Sequence, residues 1–167
     1  PLPTESVVLP VESAAAAVPY LTAVPDGSWS FSLAEDAVVY GLGEMPRGIN
    51  KRGWHYVTDN TDESHHGENR LSYYGAHNFL LIDGGAGRSV FGVFVDFPGK
   101  VFYDIGYTRH DRLTFRTEEP DYDLYILTGD SPNAVCTEFR KLIGHSYIPP
   151  KWAFGATQSR WSYMNED

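Results

Sequence analysis

The sequence has a single cysteine, Cys136, so it cannot form an internal disulfide. No oxidised framework therefore places the chain outside the cell. The apolar, Pro/Ala-rich residues 1–20 carry no basic segment ahead of them. No signal peptide is read there, and the expected compartment is the cytoplasm. No apolar run approaches the roughly 20 residues that a membrane helix needs, so no membrane partner is expected. Positive charge is scarce: 13 Lys and Arg face 22 Asp and Glu, a net charge of −9. Such a field repels polyphosphates, and nucleic acid is not an expected partner. The neighbouring His65 and His66 point different ways, and no Cys or third His stands at ligand spacing, which argues against a metal. Gly41-x-Gly43 lacks the rest of a dinucleotide motif and precedes no helix, so it reads as a strand-end turn and no cofactor is expected.

Aromatic residues and turn formers are plentiful. Tyr, Phe and Trp make up 14% of the 167 residues, and 16 Gly and 11 Pro punctuate them. That mixture favours a β-rich domain. The length suffices for one domain with a substantial core, but not for a domain plus a (β/α)₈ barrel, which alone takes roughly 250 residues. The start at Pro1, without Met, fits a processed, trimmed or fragmentary product.

Residues 1–26 hold five prolines and an alanine run, a loosely held lead-in with at most an edge strand. After Asp26-Gly27, Trp29, Phe31 and Leu33 alternate with Ser28, Ser30 and Ser32, a period-two strand. A second strand is expected over 37–42. From 43 to 75 the pattern fades into polar residues and turn signals, and a loop of that length reads as functional. Strands return over 79–82, 90–96, 101–105, 113–117 and 122–126, the spacing of an antiparallel sandwich or barrel. Ser131 as N-cap, Pro132 at the first helical position and Gly144 as stop bracket one helix over 131–143. Its apolar face is Val135, Phe139, Leu142 and Ile143. Cys136 beside that face reads as an inert packing thiol. Pro149-Pro150 then breaks the chain, and a new strand is expected from Trp152 to Ser159. The domains are thus a lead-in (1–26), a β-domain with a linking helix (27–148) and the start of something else (149–167).

Read in order, seven segments resemble glycoside hydrolase family 31. They are Tyr40-Gly41-Leu42-Gly43-Glu44, Tyr74-Gly75-Ala76-His77-Asn78-Phe79, Phe91-Gly92-Val93-Phe94-Val95-Asp96, Asp121-Tyr122-Asp123-Leu124-Tyr125-Ile126, Phe139-Arg140-Lys141-Leu142-Ile143-Gly144, Pro149-Pro150-Lys151-Trp152-Ala153-Phe154-Gly155 and Gln158-Ser159-Arg160-Trp161-Ser162-Tyr163. The wording is most similar to that of bacterial α-glucosidases. The resemblance implies an antiparallel β-sandwich like that of galactose mutarotase, followed by a catalytic (β/α)₈ barrel of which 149–167 would be the opening strand. It implies a retaining mechanism with two aspartates on late barrel loops, beyond the end of this chain. No catalytic residue is therefore nominated, and the chain alone is expected to be inactive. Trp161-Ser162-Tyr163-Met164-Asn165-Glu166 is similar to the family's nucleophile motif, but Tyr163 stands where that motif has Asp. Asn165-Glu166-Asp167 reads instead as the acidic start of the first barrel helix.

The resemblance also implies that the sandwich loop helps to shape the substrate pocket. By position Asp62 matches a carboxylate that contacts sugar hydroxyls, with Asp59 as the alternative after a slip of a few residues. The plainer reading of Asp62 is a turn cap. Trp54 offers a stacking face for a sugar ring, although an aromatic near a strand end also suits a core. Arg47, Arg52 and Arg70 are expected to pair with the loop's acidic residues. The implied partners are an α-linked gluco-oligosaccharide and the rest of the barrel. The alternative is a stand-alone, non-catalytic carbohydrate-binding sandwich. A mutarotase is a weaker third option: the fold resemblance favours it, but the chain lacks a convincing catalytic His/Glu set.

Overall fold

The computed structural model describes residues 21–23, 28–62 and 64–158. Among these residues nine strands and one helix carry the fold: β1 (Leu21–Ala23), β2 (Trp29–Ser32), β3 (Val38–Gly43), β4 (Trp54–Thr58), β5 (Ala76–Asp83), β6 (Val90–Asp96), β7 (Val101–Ile105), β8 (Arg112–Thr117), β9 (Asp123–Gly129) and α1 (Pro132–Ile143). They form two antiparallel sheets, ordered β1-β2-β8-β7-β4 and β3-β5-β6-β9. This is the expected sandwich, and β1 takes the edge place allowed to the proline-rich lead-in.

The two sheets meet through one apolar core. Phe31, Tyr103, Phe115 and Ile105 from the five-stranded sheet face Val39, Leu80, Ile82, Phe91 and Val93 from the other, all at most 5% exposed. Phe31 stacks on Phe115 within its own sheet (6.3 Å) and on Phe91 across the gap (5.7 Å). The unbroken apolar run Phe79-Leu80-Leu81-Ile82 follows from burial on both faces. Leu80 and Ile82 point into the sandwich, while Phe79 and Leu81 point outward under α1.

Helix α1 starts and stops where its residues dictate. Ser131 Oγ accepts the Ala134 N–H at 3.2 Å. Gly144, at φ 94°, turns its own N–H back to the Arg140 carbonyl. Val135 is fully buried against the outer face of the four-stranded sheet. A Cβ on Gly92 would stand 2.8 Å from Val135 Cγ1 and 2.9 Å from the Phe79 ring, so the glycine gives the helix its seat. Ile143, expected on the apolar face, is 56% exposed because the helix runs past the sheet at its last turn. Cys136 is exposed rather than packed, since it points away from the sheet that Val135 contacts.

Two further expectations are corrected. The stretch 43–75 is not one loop: β4 lies inside it and pairs with β7 from Trp54↔Ile105 to Thr58↔Val101. The ladder with β7 and the burial of Tyr56 and Thr58 stabilise a strand too short to show a period in a polar context. Ser30 is buried as well, and the Arg112 side chain donates to its Oγ at 3.3 Å. Lys151–Phe154 forms a 3₁₀ turn where a strand was expected. The described residues there lie on no sheet, and without a ladder partner an isolated strand does not form. Ser159, the last residue of that expected strand, and residues 160–167 after it lie outside the described residues.

Candidate functional site

The segment from β3 to β5 is tied down in sections. At the end of β3 the register shifts between Gly41 and Gly43. Gly41 sits at φ 122°, and a Cβ there would stand 2.2 Å from the Phe79 carbonyl oxygen, so only glycine closes this bulge. Lys51 N–H then donates to the Val39 carbonyl (2.7 Å) and Gly53 N–H to that of Ile105 (2.6 Å), which fixes the first part of the segment across both sheets. Arg52 locks the same end by donating to the carbonyls of Ala34, Glu35, Ala37 and His110 at 2.6–3.2 Å.

The second part, 59–75, folds back along β4. Val57 N–H donates to the Leu71 carbonyl at 3.1 Å, so the returning chain covers an otherwise open sheet edge. Asn60 Oδ1 accepts the Ala76 N–H at 2.6 Å, and Ser72 Oγ accepts that of Asp59 at 3.3 Å. Tyr73, 8% exposed, donates its hydroxyl proton to the Gly67 carbonyl, and His66 lies against the Tyr73 and Tyr74 rings. These contacts anchor the base of the loop and leave its tip outward.

Asp62 stands at that tip, exposed. Its carboxylate has no hydrogen-bond or ion-pair partner among the described residues, so it caps no turn there. Asp59 is committed otherwise: its carboxylate meets Lys100 Nζ at 2.9 Å, and that contact raises the Lys100 pKa. Trp54 is 45% exposed, and the Arg47 guanidinium covers it from 4.3 Å above the ring. It opens β4 while Asp59 follows its end, about 16 Å away at the usual rise per strand residue. The structure thus groups Asp59 and Asp62 and leaves Trp54 at the opposite end. Among the described residues Arg47 and Arg52 do not pair with loop carboxylates as expected; they donate to backbone carbonyls instead.

Two open clefts flank the Asp59–Lys100 pair. One, of about 450 Å³, runs between Asn60, His77, Asn78 and Pro98; the other, of about 490 Å³, runs under Thr61, Arg70 and Leu71 on the outer side. Glu118 reaches both and accepts the Lys100 N–H at 3.2 Å. His77 is exposed as a residue, yet the sheet beside its ring desolvates it enough to lower its pKa, and its Nδ1 accepts the Phe79 N–H at 3.3 Å. The ring is therefore neutral at pH 7, with Nε2–H as its remaining donor. Carboxylate acceptors beside amide and imidazole donors suit the hydroxyls of a neutral polyol. Sequence reasoning missed His77, Lys100 and Glu118. His77 lies inside one of the quoted segments, but nothing local distinguishes it, and the other two reach the loop only through β-sheet pairing. Among the described residues no three His, Cys, Asp or Glu side chains gather to hold a metal.

Comparison with known proteins gives a consistent answer. Residues 18–104 match the glycosyl hydrolase 31 N-terminal galactose mutarotase-like domain. Alpha-glucosidase 2 of Bacillus thermoamyloliquefaciens is 34% identical over 129 residues, which cover 76% of this chain and 16% of that protein. Alpha-xylosidase XylQ of Lactiplantibacillus pentosus is 32% identical over 124 residues, 74% of this chain and 15% of that one. Among solved structures, a Flavobacterium johnsoniae family 31 dextranase complexed with glucose superposes with a TM-score of 0.66 at 25% identity, over 81% of this chain and 16% of that one. The cycloalternan-degrading enzyme from Trueperella pyogenes, in complex with isomaltose, shares the fold with a TM-score of 0.66 at 22% identity, over 77% of this chain and 19% of its own. The chain thus spans less than a fifth of the length of each of these relatives.

Proposed function

The chain belongs to the glycosyl hydrolase 31 N-terminal galactose mutarotase-like family, and on that footing we propose that it is the sandwich of a retaining α-glucosidase acting on terminal α-linked glucose of oligosaccharides. In this reading both reacting carboxylates stand on a barrel that follows residue 149, held about 5–5.5 Å apart as retention requires. The sandwich contributes the loop 59–75, and Asp62 accepts hydroxyl protons of the substrate at the barrel mouth. The observation that carries the proposal is the contrast between the two aspartates. Asp59 is neutralised by Lys100 at the anchored base, while Asp62 stands exposed at the tip with no partner for its carboxylate among the described residues.

A stand-alone carbohydrate-binding module is the competing reading. Against it stand Tyr147, Ile148, Trp152 and Phe154, each more than three-quarters exposed after the helix. A self-contained module has no use for such a run of bare apolar side chains, whereas a barrel packing there would cover them. Calorimetric titration of this chain with isomaltose separates the two. The α-glucosidase reading expects no heat of binding at millimolar sugar, because the loop works only against a barrel. Millimolar or tighter binding by the chain alone would favour the module.

A further inference from the structure

Strand β5 outruns its ladder with β6, which ends at Phe79↔Phe94, by three residues. The first of the three, Ala76, pairs with Gly43 of β3. The Gly75 carbonyl accepts the Glu44 N–H at 2.9 Å, so β3 holds one side of the Gly75–Ala76 peptide. The N–H of a trans peptide points the opposite way, here to where the ladder with β6 has ended. Asn60 Oδ1 meets it there at 2.6 Å and satisfies it. The side chain thus stands in for a strand residue. Because the partner is an N–H, the amide oxygen faces it and the Nδ2 group keeps its donors.

This bond crosses between the two sheets where the loop begins. Thr58, two residues earlier, crosses as well, since its hydroxyl donates to Asn78 Oδ1. Asp59 between them is held by Lys100 and by Ser72 Oγ. After Asn60 the chain is freer: neither Thr61 nor Asp62 has a hydrogen-bond or ion-pair partner among the described residues. Asp62 has no such contact of its own to place it, so its position is inherited from Asn60 through the backbone between them. Ordering a free segment at the moment of binding costs affinity, and a segment ordered beforehand avoids that cost.

We propose that Asn60 is the positioning residue for Asp62: its bond to the Ala76 N–H sets where the loop tip stands before substrate arrives. The contact of Asp62 with substrate rests on the α-glucosidase reading; the effect of Asn60 on the tip does not.

The test compares Asn60→Ala with Asn60→Asp, which keeps an acceptor at the same place. In the 167-residue chain, Asn60→Ala speeds amide exchange at Ala76 about three- to tenfold, and the ¹H–¹⁵N heteronuclear NOE falls at Thr61 and Asp62. The melting temperature drops by no more than about 3 °C. In the full-length protein that carries this chain, Asn60→Ala lowers kcat/KM for an α-glucoside about three- to tenfold, through KM with kcat kept. Asn60→Asp brings exchange and KM back to within about twofold of wild type. Unchanged exchange at Ala76 in Asn60→Ala overturns the proposal. So does a loss of kcat/KM in Asp62→Asn that Asn60→Ala does not share, or a loss in Asn60→Ala that falls on kcat and that Asn60→Asp does not rescue. If Asp62→Asn is silent while Asn60→Ala still loosens the tip, the positioning of the tip stands and the substrate contact of the α-glucosidase reading fails.

Discussion

Phe79 on β5 and Phe139 on α1 stack face to face, 3.9 Å apart and 4° from parallel. Phe94 meets the same Phe139 edge-on at 5.2 Å. These rings, with Val135, hold the helix that leads the chain away from the sandwich, so the direction of residues 144–158 depends on an aromatic contact on the outer face of a sheet.

That contact has no spare room at Gly92. Gly92→Ala would place a methyl group 2.8 Å from Val135 Cγ1 and 2.9 Å from Phe79. Overpacking of this kind costs about 1–3 kcal/mol, which lowers the melting temperature by about 2–12 °C in a domain of this size. Thermal unfolding checks it. An unchanged midpoint would mean that the helix lifts without penalty and does not fix the exit of the chain.

Asp104 offers a pH-dependent prediction. Burial pushes its pKa up, but hydrogen bonds from Thr108, from the Tyr107 N–H and from His55 outweigh this and hold it below the ordinary 3.8. The carboxylate caps the turn after β7, accepting the Tyr107 and Thr108 N–H groups at 2.9 and 3.2 Å, and His55 Nε2 lies 3.1 Å away. A depressed carboxylate pKa adds stability above the unfolded value, and that stability is lost as pH falls through the folded one. Asp104→Asn should therefore cost about 0.5–1 kcal/mol at pH 7. The melting temperatures of variant and wild type should converge below pH 3.8. A constant offset down to acid pH would show that the amide fails for steric reasons instead.

Lys51 titrates with the opposite sign. Its folded pKa lies below the ordinary 10.5, so the unfolded chain binds more protons and stability rises with pH between the two values. Buried tyrosines titrate nearby, and the difference between wild type and Lys51→Met isolates the lysine. That difference should shrink as pH approaches 10.5. A difference independent of pH would mean that the ammonium is not destabilised in the folded state.

Much of this architecture was legible beforehand. Phe31, Val93 and Tyr103 announce their strands by period and flanking turns, and Ser131 and Gly144 announce the helix. What escaped has a common cause. Strand β4 has five residues, and pairing with β7, nearly fifty positions later, stabilises it. Ser30 accepts a hydrogen bond from Arg112, 82 positions away. Lys100 and Glu118 reach Asp59 through the sheet, not the sequence. Local pattern carries local structure; a site assembled by register becomes visible only when the strands are placed. The separation of Asp62 from Trp54 is of the same kind, since a five-residue strand lies between their neighbourhoods.

The loop tip yields its own prediction. In a protein that carries both the sandwich and an active barrel, Asp62→Asn should lower kcat/KM for an α-glucoside about 10- to 100-fold, the loss expected for one charge-assisted hydrogen bond. Asp59→Asn, which breaks only the half-exposed pair with Lys100, should change it less than about fivefold. Equal effects would place the substrate contact at the base of the loop.

The most direct measurement is hydrolysis of p-nitrophenyl α-D-glucopyranoside by the purified 167-residue chain. The account predicts no turnover above the uncatalysed background, because the sandwich shapes a pocket whose reacting carboxylates belong to another domain. Turnover at enzyme-like rates, abolished by changing a carboxylate of this chain, would contradict it.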